Sequence, residues 1–159
     1  MMVNVDSVST NEINSVDIIR IMQMIPHRYP MLMIDKVKNM VPDQTATGIK
    51  NVTINENQFI GHFPTRPVMP GVMIIESIAQ TAAVLVVHSL GPVAEGKLVY
   101  FMSIDNAKFR KPVIPGDTMY VNVKIIKRRN SIWKISGEVY VDETLVSEAQ
   151  ITAMVVGDE

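Results

Sequence analysis

One segment of the chain is apolar on every side of a predicted helix. Over residues 72–89 apolar side chains occupy all helical positions rather than a single stripe. The residues Leu90, Gly91 and Pro92 then follow in the order typical of a helix end. A helix without a polar face has to be enclosed by other elements. The pattern therefore predicts one long central helix wrapped by the rest of the chain.

The second half of the chain has the alternating pattern of β-strands. Apolar and polar residues alternate over 119–125, and strands are also predicted over 132–141 and 145–156, with turn residues at 129–130 and 142–143. Residues 97–103 and 106–113 are predicted as two further strands. Long antiparallel strands beside one buried helix predict an α+β fold, in which a curved antiparallel β-sheet wraps the long central helix.

The first half of the chain has weaker signals. Residues 16–24 have helical spacing, with Ser15 as the expected N-cap and Pro26 as the end. A strand-like run follows at 31–34, and residues 45–52 alternate weakly as a strand. We expect residues 1–14, which are polar, to form a flexible N-terminal segment, and residues 15–159 to form a single domain.

Composition excludes several classes of protein. Of the 159 residues, 47% are hydrophobic and 19% are charged, which is typical of a globular domain rather than a disordered chain. The absence of cysteine excludes disulfides and thiolate metal sites. The three histidines show no metal-ligand spacing, so no metal and no cofactor are expected. The N-terminus lacks the features of a secretory signal, and we expect a cytoplasmic protein.

Two alternatives concern membranes and nucleic acids. Residues 68–90 are apolar and long enough to cross a bilayer. However, Glu76, Gln80 and His88 lie inside this segment, and no cluster of Lys or Arg flanks it, so a buried helix is favoured over a membrane span. Aromatic residues are few and no nucleic-acid-binding motif occurs, so nucleic acid is not expected as a partner.

Charge is unevenly distributed along the chain. Residues 97–134 hold nine basic and two acidic residues, a net charge of +7, although the whole chain has a net charge of −1. Such asymmetry indicates either a face for an acidic partner or solvated strand faces.

One histidine and one acid are the candidates for chemistry. His62 lies in a loop with prolines at 64, 67 and 70, and Glu76 is the only charged residue between positions 68 and 94. A carboxylate in apolar surroundings is costly unless it is paired or protonated. The combination suggests acid–base chemistry, although a loop histidine that only bonds to backbone is the alternative for His62.

Several segments, in this order along the chain, resemble the β-hydroxyacyl-acyl-carrier-protein dehydratases of bacterial type II fatty-acid synthesis. They are residues 25–35, the motif Gly61-His62-Phe63-Pro64, residues 67–72, Glu76 with Gln80, and residues 100–105, 108–110 and 115–117. The resemblance covers about residues 17–156 and implies the hot-dog fold. It also implies dehydration of 3-hydroxyacyl-acyl-carrier-protein to the trans-2-enoyl form in fatty-acid elongation.

The resemblance implies a role for three residues. His62 matches the catalytic histidine and would act as the base, and Glu76 would protonate or orient the leaving hydroxyl. Gly71, at the predicted start of the long helix, is the candidate whose backbone N–H stabilises the developing oxyanion, and a plain turn after proline is the alternative for this glycine. Glutamate at position 76 is typical of the dehydratase-only branch and argues against additional isomerase activity. In this family the site lies between two subunits, which implies at least a homodimer, often a trimer of dimers.

Two larger sets of residues are candidates for substrate contacts. The acyl chain needs an apolar channel, and ordinary core packing is the alternative role for each candidate residue. The candidates are Phe59, Phe63, Val68, Ile75, Tyr100, Phe101 and Met102. The acyl carrier protein and its phosphopantetheine phosphate would bind basic residues of the +7 segment: Lys108, Arg110, Lys111, Lys127, Arg128 and Arg129.

Other functions of the same fold remain open from the residues alone. A thioesterase would hydrolyse the acyl thioester with a carboxylate and water, and a non-catalytic module would only bind it. His27 and His88 are interpreted as structural residues. Neither the preferred acyl chain length nor the choice between dimer and hexamer follows from the sequence.

Overall fold

The computed structural model describes residues 14–157, so nearly all of the segment expected to be flexible lies outside the described residues. Two α-helices and six strands form the fold. The helices are α1 (Ile18–Met24) and α2 (Gly71–Leu90); the strands are β1 (Lys36–Val41), β2 (Thr45–Asn51), β3 (Val99–Phe109), β4 (Thr118–Arg129), β5 (Ile132–Val141) and β6 (Thr144–Val155).

All six strands form one antiparallel sheet in the order β1-β2-β4-β5-β6-β3. The sheet packs around α2, whose buried residues lie on nearly every side of the helix. The predicted α+β fold, with one long central helix inside an antiparallel sheet, is confirmed.

Two glycines let α2 lie very close to the sheet. A Cβ atom at Gly137 of β5 would lie 2.3 Å from Cγ2 of Ile78, and one at Gly48 of β2 would lie 2.1 Å from Oγ1 of Thr81. Real Cβ atoms essentially never make contacts this short, so a side chain at either position would force Ile78 or Thr81 of α2 to shift. This close packing fixes α2, and with it every residue that α2 contributes to a site.

The apolar character of α2 follows from its position. The helix has the length and composition of a membrane span, but 67% of its apolar 18-residue stretch is buried inside the fold. It is therefore the core helix, as the polar residues within it predicted.

Three local predictions were wrong. Residues 31–34 do not form a strand, because the main chain of Met31 and Met33 bonds to the side chain of Gln80 and β1 begins only at Lys36. The two strands predicted over 97–113 are one strand, β3, whose pairing with β6 shifts register twice and so breaks the alternation. The N-cap of α1 is Asp17 rather than Ser15, because the Asp17 carboxylate accepts a hydrogen bond from the backbone N–H of Arg20 at 2.9 Å.

Strand β3 lies at the edge of the sheet with little cover. One side pairs with β6, and within residues 14–157 the other side pairs with no strand. Its large apolar side chains are between 44% and 55% exposed: Tyr100, Phe101, Met102, Ile104 and Phe109. Unpaired backbone groups along an apolar edge strand favour pairing with another strand.

Candidate active site

A cavity of about 620 Å³ opens at the N-terminal end of α2. It brings together His62, Val68 and Gly71, which the sequence predicted as site residues, with two of the predicted docking cations, Arg110 and Lys111. The remaining walls come from the proline loop, from α2 and from the end of β3: Met69, Pro70, Val72, Ile74, Phe109, Pro112 and Val113.

Hydrogen bonds within the proline loop orient the ring of His62. The His62 N–H donates to the Gln58 carbonyl at 3.0 Å, and the Val68 N–H donates to the His62 carbonyl at 2.9 Å. Nδ1 of the ring lies 2.6 Å from the Val68 carbonyl oxygen. Because a carbonyl oxygen only accepts, Nδ1 carries the hydrogen, and Nε2 of the neutral ring keeps its lone pair. The bond to backbone, which the sequence left as an alternative to catalysis, is present, and it leaves Nε2 available to accept a hydrogen bond or a proton.

Phe63 packs against the same ring. The two ring centroids are 4.1 Å apart with an angle of 26° between the planes. Phe63 is half exposed, and its stacking on the imidazole limits rotation of the His62 ring.

Gly71 is the first residue of α2, after Pro70, whose side chain provides no cap. The N–H groups of a first helical turn have no partner inside the helix and form its positive end. The glycine also has a packing reason, because a Cβ here would lie 2.7 Å from Cε1 of Phe109. The ring of Phe109 therefore lies against the start of the helix, beside the cavity.

Glu76 lies on α2 but, among the described residues, is not one of those that line this cavity. Its Oε1 accepts a hydrogen bond from Nε2 of Gln80 at 2.8 Å and lies 3.3 Å from Nε2 of His27. Within one chain the acid is thus paired with His27 and Gln80 and not with His62. From the sequence His27 was interpreted as structural and Gln80 had no assigned role, although an amide four residues after Glu76 in an apolar helix is a usable signal.

The other channel candidates are distributed over the fold. Phe59 and Ile75 are buried in the core, whereas Tyr100 and Met102 are exposed on β3. Phe101 borders a narrow apolar crevice between α2 and the sheet, together with Ala79, Ala82, Ala83 and Trp133. The crevice and the cavity share no lining residue among those described.

The basic residues fall into two groups at opposite ends of the molecule. Lys108, Arg110 and Lys111 lie at or beside the cavity, at the end of β3. Arg128 instead stacks on Trp133, with 4.4 Å between guanidinium and ring centroid, and lies 3.7 Å from Asp43. The Asp43 N–H bonds to Ser89 near the other end of α2. A helix of 20 residues is about 30 Å long, so Arg128 is far from Gly71 in the same chain.

One acid partly offsets the charge beside the cavity. Glu148 of β6 lies 3.2 Å from Arg110 and 3.8 Å from Lys108. The hydrogen bond from Arg110 holds the pKa of the Glu148 carboxyl below its usual range, against the opposing effect of desolvation. Glu148 therefore stays ionised, and the exposed Lys111 forms no ion pair among the described residues.

Comparison with known proteins identifies the family. The FabA-like domain matches residues 25–150, most of the chain. The chain belongs to the FabA-like domain family. Two curated members are similar over nearly their whole length, and both are described as 3-hydroxyacyl-[acyl-carrier-protein] dehydratase FabZ. The protein from Rhodospirillum rubrum is 59% identical, with 91% of each chain covered, and that from Paramagnetospirillum magneticum is 60% identical, with 91% of this chain and 89% of the relative covered.

Solved structures show the same fold at low sequence identity. A chain of the dehydratase heterocomplex ApeI:P from Xenorhabdus doucetiae matches with a TM-score of 0.72 and 15% identity, covering 87% of this chain and 91% of that one. A hypothetical thioesterase with coenzyme A from Streptococcus pneumoniae matches with a TM-score of 0.58 and 16% identity, covering 77% and 86%. The predicted hot-dog fold and the predicted dehydratase family are both confirmed, and the FabA-like relatives support a hydro-lyase rather than a thioesterase.

Proposed function

We propose that this chain dehydrates 3-hydroxyacyl-acyl-carrier-protein at a site shared between two subunits. His62 and Gly71 would come from one subunit and Glu76 from the other. The observation that carries this proposal is the separation of the three residues within one chain. His62 and Gly71 line one cavity, whereas Glu76 lies outside it and faces His27 and Gln80.

The free edge of β3 supplies the surface for the second subunit. A second copy of the same strand would pair with its unpaired backbone groups and cover its exposed apolar side chains. Such an interface is isologous, so each copy meets the same surface of the other. Phe109 of β3 lies against Gly71, so the edge of this interface reaches the cavity.

The chemistry divides into three tasks. Nε2 of His62 takes the proton from the carbon next to the thioester carbonyl, and the backbone N–H of Gly71 stabilises the enolate oxygen that develops. The carboxyl of Glu76 gives its proton to the hydroxyl on carbon 3 of the acyl chain. The protonated hydroxyl leaves as water while the double bond forms between carbons 2 and 3. Return of the proton from His62 to Glu76, directly or through solvent, restores both groups.

The products of the wild-type enzyme test this reaction. Short and long 3-hydroxyacyl chains on the carrier protein are the substrates, and products are identified by mass and double-bond position. We expect trans-2-enoyl product alone, since glutamate at position 76 is typical of the dehydratase-only branch. Free acid would instead establish a thioesterase, and a shifted double bond would establish isomerase activity.

We further propose that Lys108, Arg110 and Lys111 bind the acidic carrier protein. Arg110 and Lys111 line the cavity, where the phosphopantetheine arm would enter, and Lys108 lies beside it. With Glu148 the three cations retain an excess of two positive charges. Positive charge beside an entrance attracts an acidic partner and raises its association rate.

Charge reversal tests the docking surface. We expect Lys108→Glu with Lys111→Glu to raise KM for the carrier-bound substrate about 10-fold at low salt, with kcat little changed. The matched control is Lys127→Glu with Arg129→Glu, the same charge change at the other end of α2, and it should leave KM within about 2-fold.

A small thioester without carrier protein separates docking from damage to the site. Neither double variant should change its KM, because it presents no acidic surface. A higher KM for the control pair alone would show that the carrier protein docks at the Arg128 end of the molecule instead. An unchanged KM for both pairs at low salt would contradict electrostatic docking.

We place the enzyme in the cytoplasm, where its soluble carrier protein would be available, and propose a dimer or a trimer of dimers as the functional form. A solution mass of two or six times that of the chain is therefore expected, and a monomer that retains full activity would contradict the shared site.

A further inference from the structure

His27, in the loop between α1 and β1, lies against the proposed catalytic acid. We propose that His27 is a positioning residue that holds the carboxylate of Glu76 in its working orientation. This inference rests on the proposed role of Glu76 as the acid. His27 was interpreted from the sequence as structural, and its contact with Glu76 gives it a more specific task.

The geometry defines which atoms interact. Nε2 of His27 lies 3.3 Å from Oε1 of Glu76, and the two side chains are 24% and 18% exposed. This is a close polar contact rather than an aligned hydrogen bond. Because a carboxylate oxygen only accepts, and because Nδ1 has no acceptor beside it among the described residues, Nε2 is the nitrogen suited to carry the hydrogen. The other ring nitrogen, Nδ1, is buried and has no hydrogen-bond partner within residues 14–157. In a neutral ring with the hydrogen on Nε2, Nδ1 therefore has a lone pair that accepts from no donor. In a protonated ring, Nδ1 would be a buried N–H without an acceptor.

The main chain around His27 is fixed on both sides. The guanidinium of Arg28 donates to the carbonyls of Ile25 at 3.0 Å, of His27 at 2.6 Å and of Met22 at 2.7 Å. These bonds tie the loop to the end of α1. A ring attached to so constrained a main chain can hold its partner in one place.

Gln80 anchors the following part of the loop to α2. Its fully buried amide accepts from the Met33 N–H at 2.8 Å, and it donates to the Met31 carbonyl at 2.8 Å and to Glu76 at 2.8 Å. The same side chain therefore fixes both the loop that carries His27 and the carboxylate that His27 contacts.

These contacts distinguish the two oxygens of Glu76. Oε1 accepts from Gln80 and lies beside His27, which leaves Oε2 to carry the proton toward the substrate hydroxyl. Loss of the His27 contact would leave Oε1 held by the Gln80 hydrogen bond alone and permit the carboxyl to rotate. Misplacement of a reacting group by about 1 Å costs up to about 10²-fold in rate.

Two substitutions of His27 provide a matched pair. The amide nitrogen of His27→Gln reaches approximately the position of Nε2, whereas that of His27→Asn reaches only the position of Nδ1. We expect His27→Asn to lower kcat about 10- to 100-fold with KM within about 2-fold, and His27→Gln to retain most of the activity. Equal activity of both variants and the wild type would overturn the inference.

A double-mutant cycle separates positioning from general damage to the fold. In a Glu76→Gln background, His27→Asn should cause no further loss of the residual rate, because the group that it positions is already gone. A further loss of the same size as in the wild-type background would show a structural role and overturn the inference. Urea unfolding of each variant checks that the fold is intact.

The same cycle distinguishes failure of this inference from failure of the proposed function. Full activity of Glu76→Gln itself would overturn the role of Glu76 as the acid. An inactive Glu76→Gln together with a fully active His27→Asn would leave the proposed function standing and overturn only the role of His27.

Discussion

Replacement of His62 by alanine is expected to lower kcat for dehydration about 10³-fold, because a positioned general base contributes about 10²- to 10⁴-fold. The hydrogen bond from Nδ1 to the Val68 carbonyl holds the ring with Nε2 free, and no other histidine lines the cavity among the described residues. Steady-state kinetics with a 3-hydroxyacyl-carrier-protein substrate measures the effect, and KM should change little.

The control for this variant is His88→Ala. His88 lies in the last turn of α2, at the end opposite Gly71, so its loss should leave kcat within about 2-fold. An enzyme that used a carboxylate and water alone would survive His62→Ala. Retention of dehydration by His62→Ala would therefore exclude His62 as the base.

Two inactive variants are expected to restore each other when they share a dimer. With His62→Ala in one chain and Glu76→Gln in the other, each mixed dimer contains one site with both groups intact and one with neither. Random pairing makes half of the dimers mixed, so co-expressed chains should regain about a quarter of the wild-type rate. The two chains carry different tags, so that mixed dimers are purified and assayed directly.

A second mixture controls for subunit exchange. Wild-type chain paired with the His62→Ala, Glu76→Gln double variant makes mixed dimers in which both shared sites are broken, so these dimers should be inactive. A site built within one chain predicts the reverse: no recovery in the first mixture and half-active mixed dimers in the second. The two outcomes are far enough apart to decide between the arrangements.

The central helix and the last three strands could be predicted because their patterns are long and local. Apolar residues on every side of α2 require enclosure, and strands β4, β5 and β6 alternate around short turns. The start of α2 at Gly71 and the loop with His62 were also evident, since proline and glycine mark both.

The contacts of Glu76 could not be predicted in the same way. His27 is 49 positions from Glu76 in the sequence, and their contact depends on how the loop after α1 folds onto α2. That fold is fixed by Gln80 and Arg28, whose bonds go to main-chain carbonyls and an N–H group. Any residue supplies these main-chain groups, so the sequence contains no partner pattern to detect.

The separation of the basic residues was hidden for a related reason. Arg110 and Arg128 belong to one basic stretch of sequence, yet β3 and β4 carry them to opposite ends of α2. Net charge along the chain does not record the direction in which a strand runs. Only the sheet order distinguishes the group at the cavity from the group that packs on Trp133.

The close packing of α2 on Gly48 and Gly137 constrains how this enzyme can diversify. One helix forms the centre of the folding core and also carries Gly71, Glu76 and Gln80, so a substitution there alters folding yield and turnover together. Strand β3 and the proline loop lie outside that core. Laboratory evolution toward other acyl chains should therefore accumulate its tolerated changes outside α2, while α2 stays nearly invariant.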